Sequence, residues 1–306
     1  MDFKIEETLP TVFSGHSSEK EEQFLLACEW MESLGINYTR TRFGEYKKDF
    51  ALFFNPNRKN IPTDDLELAN EFYVFMQAQM EVVQLIRLMN TYQDKACEGF
   101  LNTFKKTMSG RKLRREAINA TQDPARDFAF ELSVASRFIK GGFTVDLSDR
   151  ADLVVDINGK KLFVECKRIR SEKKLKPRVN HANTQIEKRL KKCVSNKPRG
   201  VVALDLTDII NPMSSIVVYS DIKEFYRASV DTIEEYVIKK SEILKSKYDK
   251  RCLGILCEKT SIGFLIGEEA PVIGHARSAT FLNYGDNRNN KEFVDEFLPK
   301  IGNQNI

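Results

Sequence analysis

The chain has 306 residues, 42% hydrophobic and 30% charged, enough for a sizeable buried core in one large domain or two smaller ones. No apolar run reaches about 18 residues, which excludes a transmembrane helix, and the opening MDFKIEETLPTVFSG is acidic without an apolar centre, so no signal peptide and a cytoplasmic setting are expected. A net charge of +4 is too small to mark the whole chain as a polyanion binder.

The first third reads as mostly helical. Ser17 or Ser18 can cap EKEEQFLLACEWMESLG, where Phe24, Leu25, Cys28 and Met31 recur at helical spacing and Gly35 ends the run. The weakly alternating INYTRTRFGEYKKDFALFFNPN is expected as strands or a loop. Thr63 or Asp64 then opens a proline-free apolar stretch, which fits one long helix or a helical pair breaking near Gly99. The glycine and basic run of MSGRKLRRE mark a boundary, giving a mainly helical domain over 1–115 and a second domain over 116–306. The first is expected to regulate, oligomerise or dock a partner protein.

Beyond that boundary helix and strand alternate. Asp123-Pro124 starts a helix that ends at Gly141-Gly142, and FTVDL is a short strand. A hairpin, a basic loop RSEKKLKPR, the helix NHANTQIEKRLKKCVS and the buried-type strand GVVALDLTD follow. Asp221 opens a long helix to about Lys250, with CLGILCEK and SIGFLIG as further strands. The order argues an α/β fold with a mixed sheet. Cys28, Cys97, Cys166, Cys193, Cys252 and Cys257 contain no CxxC pair, which favours reduced, mostly buried thiols over a zinc site.

The informative stretch is DLVVDINGKKLFVECK, residues 152–167. Asn158-Gly159 between apolar runs signals a two-residue type I′ hairpin. Ile157 then pairs with Lys160, Val154 with Phe163, Asp156 with Lys161 and Asp152 with Glu165. Leu153, Val155, Ile157, Leu162, Val164 and Cys166 share a core face, and Asp152, Glu165 and Lys167 share the other. Opposed side chains have Cβ atoms about 4.5–5.5 Å apart, so two bare carboxylates there repel. A hard divalent cation such as Mg²⁺, with oxygen ligands, removes the conflict, and an ammonium beside it can orient water and stabilise developing charge on a phosphate. The competing reading is an exposed salt-bridge ladder.

Asp152 followed by Glu165-Cys166-Lys167, each behind apolar strand residues, resembles the PD-(D/E)xK nuclease motif, with Ala151 in the place of the usual proline. The helix–three strands–helix–strand order over residues 123–208 resembles the restriction-endonuclease-like αβββαβ core. The resemblance implies that Asp152, Glu165 and the Cys166 carbonyl hold Mg²⁺, with Mn²⁺ as a substitute, and that Lys167 positions the attacking water. It also implies roles for Glu131 on the preceding helix and Gln185 on the following one. His181, one turn before Gln185, is read as a polar or phosphate contact.

Between Gly159 and Arg199 there are fifteen Lys/Arg and three Glu, while the remainder of the chain is net acidic. Lys173, Lys174, Lys176, Arg178, Lys188, Arg189 and Lys192 are therefore candidates for contacting a nucleic-acid backbone, against the plainer reading of a solvated helix face. The expectation is a Mg²⁺-dependent DNA endonuclease. Such a unit beside an unfamiliar helical domain looks similar to effectors of prokaryotic restriction or anti-phage defence. The alternatives are a catalytically silent nucleic-acid-binding module and a helical scaffold that forms a homo-oligomer.

Overall fold

A computed structural model describes residues 17–53, 55, 57–59, 63–114, 116, 123–147, 152–195, 197–210, 217–267, 272–285, 287–302 and 304. Among the described residues four α-helices come first: α1 (Ser17–Ser33), α2 (Arg42–Phe53), α3 (Asp65–Tyr92) and α4 (Glu98–Thr107). The expected caps Ser17 and Ser18 have side chains outside the described set. α2 replaces the expected strands or loop. Phe43, Tyr46 and Phe50 sit at helical spacing and bury together with Phe24, Phe75 and Phe104, and this aromatic packing overrides the weak alternation. The long apolar stretch is a helical pair. Asp64 caps α3 by accepting from the Glu67 amide at 2.9 Å. The break falls after Tyr92, so Gly99 sits in the first turn of α4.

The rest of the chain runs α5 (Pro124–Lys140), β1 (Thr144–Asp146), β2 (Leu153–Ile157), β3 (Lys160–Arg168), α6 (Glu172–Lys192), β4 (Arg199–Asp205), the short α7 (Thr207–Ile210), β5 (Val218–Tyr219), α8 (Ile222–Lys239), the short α9 (Ser241–Leu244), β6 (Cys252–Leu265), β7 (Val272–Asn283) and α10 (Arg288–Gly302). Among the described residues the strands form one mixed sheet of seven. β1, β2 and β3 are antiparallel neighbours, β3 lies parallel to β4, and β4 parallel to the first half of β6. β5 pairs with the end of β6, and β7 runs antiparallel along the whole of its other edge. The chain is thus an α/β protein with a mixed sheet.

Three expectations are corrected. The basic loop RSEKKLKPR is instead the end of β3's exit and the opening turns of α6, with Pro177 inside the helix. Ser171 precedes the helix and acidic Glu172 sits in its first turn, which favours helix there over loop. The two strands CLGILCEK and SIGFLIG are one strand of 14 residues, held straight through by its ladder to β7. The helix opened by Asp221 stops at Lys239.

The hairpin forms in the expected register, pairing Ile157 with Lys160, Asp156 with Lys161 and Val154 with Phe163. Asn158 and Gly159 take φ values of 52° and 78°, the left-handed pair that a type I′ turn requires. Both faces of the sheet are covered. Leu153, Val155, Ile157, Leu162, Val164 and Cys166 pack against α5 and α10 through Phe130, Val134, Phe138 and Phe297. Val154 and Phe163 pack against Val179, Ala182 and Ile186 of α6. α6 lies so close that a Cβ at Gly200 would stand 2.2 Å from the Ile186 side chain, so only glycine fits. The N-terminal helices pack on α5 through Leu132, and α3 lays Met76 and Met80 on Ile262 of β6. No helix among the described residues is long and apolar enough to cross a membrane.

Candidate active site

The β2–β3 ladder ends at Leu153 and Val164. The expected main-chain pairing of Asp152 with Glu165 does not form. The Asp152 carboxylate takes its place, accepting from the Cys166 amide at 2.7 Å and closing the ladder with a side chain. The two carboxylates still meet, because Lys167 bridges them. Its ammonium lies 3.2 Å from Asp152 Oδ2 and 3.3 Å from Glu165 Oε2. Glu165 is fully buried, and its other oxygen lies 2.5 Å from Arg189 Nη1 of α6.

The electrostatics follow from this crowding. Burial, and then the neighbouring Asp152 charge, push Glu165 above the usual carboxylate range, against the pull of Lys167 and Arg189. Burial alone would lower Lys167, but Asp152 and Glu165 outweigh it and hold the ammonium charged. Glu131 comes in from α5. Burial and the Asp152 charge push it up to about 8, with Lys167 pulling the other way. Glu131 therefore belongs to the same electrostatic cluster. The Cys166 thiol is buried and pushed well up, which leaves only its main chain for the site.

On α6, Gln185 is half-buried, and its Oε1 is enclosed with no hydrogen-bond partner among the described residues. His181 is exposed one turn earlier. Partial burial and then Lys167, Arg178 and Lys188 lower its affinity for a proton. Lys173, Lys174, Lys176, Lys188 and Lys192 are exposed, and Arg178 is half-buried. Arg189 stands apart from this solvated set, turned inward onto Glu165.

Sequence reading missed the buried ionic network behind the site. Arg168, directly after Lys167, binds Asp123 at 2.8 Å and Asp208 at 3.1 Å. Arg114 binds the same Asp208, and Asp205 at 2.9 Å. Arg126 joins Asp123 to Glu81 of α3, which also binds Arg42 of α2 at 3.2 Å. Charged residues placed at the very ends of apolar strands, as in ALDLTD, are the signal that marks it.

Among the described residues, no three His, Cys, Asp or Glu side chains close on a common point as a metal cluster. The donors that do converge are the two carboxylates of Asp152 and Glu165 beside the Cys166 main chain. That set suits a hard cation that keeps several waters, since Mg²⁺ is commonly held by one or two carboxylates. Such a charge would also relieve the repulsion that raises Glu165 and Glu131. No family model matches the chain, and neither a curated protein nor a solved structure matches it.

Proposed function

We propose that this chain is a Mg²⁺-dependent nuclease of the PD-(D/E)xK type acting on DNA. The observation that carries the reading is the Asp152–Lys167–Glu165 cluster at the open end of the β2–β3 hairpin, with one ammonium within 3.3 Å of both carboxylates. The arrangement of α5, the three antiparallel strands, α6 and the parallel β4 supports a restriction-endonuclease-like core.

Asp152, Glu165 and the Cys166 carbonyl would hold the cation, which supplies Lewis-acid polarisation of a phosphoryl oxygen when bound. Lys167 holds the attacking water and offsets negative charge developing on the phosphoryl group. Glu131, proton-bearing near neutral pH, can hold or release a proton at the rim of the cluster. Exposed Lys173, Lys174, Lys176, Lys188 and Lys192 line one helix and supply sequence-independent phosphate contacts.

The test is cleavage of plasmid DNA with Mg²⁺ or Mn²⁺, in wild type and Lys167→Ala, with EDTA as control. Metal-dependent cutting that Lys167→Ala removes supports the reading, with a loss of roughly 10²–10⁴-fold expected for a positioned proton or charge partner. The Arg189–Glu165 ion pair favours a second reading, a nucleic-acid-binding module whose carboxylate is permanently occupied. Salt-sensitive DNA binding with no cutting under any metal would select it.

A further inference from the structure

Both oxygens of the Glu165 carboxylate are already engaged. Oε2 lies 3.3 Å from Lys167 Nζ, and Oε1 lies 2.5 Å from Arg189 Nη1. Asp152 shares its Oδ2 between the Cys166 amide at 2.7 Å and Lys167 at 3.2 Å. Two carboxylates are thus met by two side-chain cations. A divalent ion joining this set at contact distance is repelled by both, and the repulsion is strong where water is scarce. One cation has to leave Glu165 before the ion can use that oxygen.

The two cations are not equally fixed. Lys167 stems from the same strand as Glu165 and bridges both carboxylates. Arg189 reaches in from α6, and its side chain is 18% exposed against 0% for Glu165. The guanidinium, and not the enclosed carboxylate, is the group that can turn outward. Helical spacing sets Gln185, Lys188 and Lys192 along the same side of α6 as Arg189. Lys188 and Lys192 are exposed, where a nucleic-acid backbone would pass. Gln185 Oε1, one turn away, is enclosed with no hydrogen-bond partner among the described residues and offers a second acceptor. A guanidinium presents a planar fork of donors that matches a phosphate as well as it matches a carboxylate.

We propose that Arg189 exchanges partners, from Glu165 in the DNA-free protein to a backbone phosphate of bound DNA, so that DNA and the divalent cation enter the site cooperatively. The inference rests on the nuclease reading above. Charge balance explains why both ligands are needed. The phosphodiester brings the negative charge that receives the guanidinium, and the cation takes the oxygen that the guanidinium leaves. Linkage then requires each ligand to tighten the other by the same factor.

The test reads binding, not turnover. The full chain is titrated calorimetrically with Ca²⁺, a hard cation that takes oxygen donors, alone and saturated with a short DNA duplex. Duplex affinity is measured by fluorescence anisotropy, in Ca²⁺ and in EDTA at matched ionic strength. In wild type, DNA should tighten Ca²⁺, and Ca²⁺ should tighten DNA, by a common factor of roughly 5–150. Arg189→Met should bind Ca²⁺ more tightly than wild type without DNA and lose most of that factor. Its duplex affinity in EDTA should stay near wild type, because the guanidinium is spent on Glu165 there, whereas Lys188→Ala should weaken it. Arg189→Lys keeps a cation beside Glu165 and serves where Arg189→Met does not fold. Its DNA-free Ca²⁺ affinity should fall between the other two, with part of the coupling retained. Equal Ca²⁺ affinity with and without DNA in wild type overturns the exchange and leaves the metal site standing. So does a coupling factor that Arg189→Met leaves intact, which would assign the cooperativity to direct contact between phosphate and cation. No Ca²⁺ binding by wild type or Arg189→Met, with or without DNA, would remove the nuclease reading itself and the exchange with it.

Discussion

Arg189 and Glu165 form an ion pair of 2.5 Å between α6 and β3, with the carboxylate wholly enclosed. Arg189 is therefore placed where it would compete with the proposed divalent cation for the same oxygen. Arg189→Met should tighten Mn²⁺ binding, measured by calorimetry, by about tenfold or more, since a unit charge at contact distance is worth a few kcal/mol at moderate dielectric. Weaker binding in the variant would mean that Arg189 orients Glu165 for the ion instead of opposing it.

Arg168 holds Asp123 and Asp208 while its chain neighbour Lys167 serves the site. Removing one partner of a buried ionic network leaves the others uncompensated, at about 3–5 kcal/mol. Arg168→Met should lower the urea midpoint accordingly. A midpoint within error of wild type would show that the network is not energetically coupled.

Glu81 sets the response to acid. Burial would raise it, but Arg126 and Arg42 dominate and hold it down to about 2. A folded-state value below the unfolded one gives stability that is present above the unfolded value of about 4.3 and lost as pH falls toward 2. About 3 kcal/mol is expected to disappear in that window. In Glu81→Gln, stability between about pH 5 and pH 2 should fall less steeply, measured by urea unfolding at each pH.

Lys259 behaves oppositely. Burial lowers it to about 8, and no acid among the described residues offsets that. Folding then disfavours the proton, so stability rises as pH climbs from about 8 toward the unfolded value of about 10.4. Lys259→Met should raise Tm at pH 7 and flatten this alkaline rise. An unchanged melting profile from pH 7 to 10 would contradict the assignment.

The hairpin was readable because Asn158-Gly159 dictates both turn type and register, and register dictates which side chains meet. Asp152 departed from the ladder because a short acidic side chain can substitute for a main-chain acceptor, a choice that alternation does not reveal. α2 was misread because Phe43, Tyr46 and Phe50 gain their helical meaning only from the aromatic partners that α1 and α3 supply. The inward turn of Arg189 was equally hidden. In sequence it is one basic residue among seven candidates, and only the close approach of α6 at Gly200 brings it onto Glu165.

The docking of the first helices on the last strands has a kinetic consequence. Phe72 meets Phe264 with ring centroids 5.4 Å apart, Met76 and Met80 cover Ile262, and Lys20 reaches Ile273. During synthesis from the N-terminus, α1 and α3 emerge at least 160 residues ahead of the β-ribbon they cover, from Tyr92 to Cys252, and chain growth at roughly 5–20 residues per second sets a wait of many seconds. Through that interval the sheet-facing side of α3 is bare apolar surface, the state in which a nascent chain is most exposed to chaperones and to self-association.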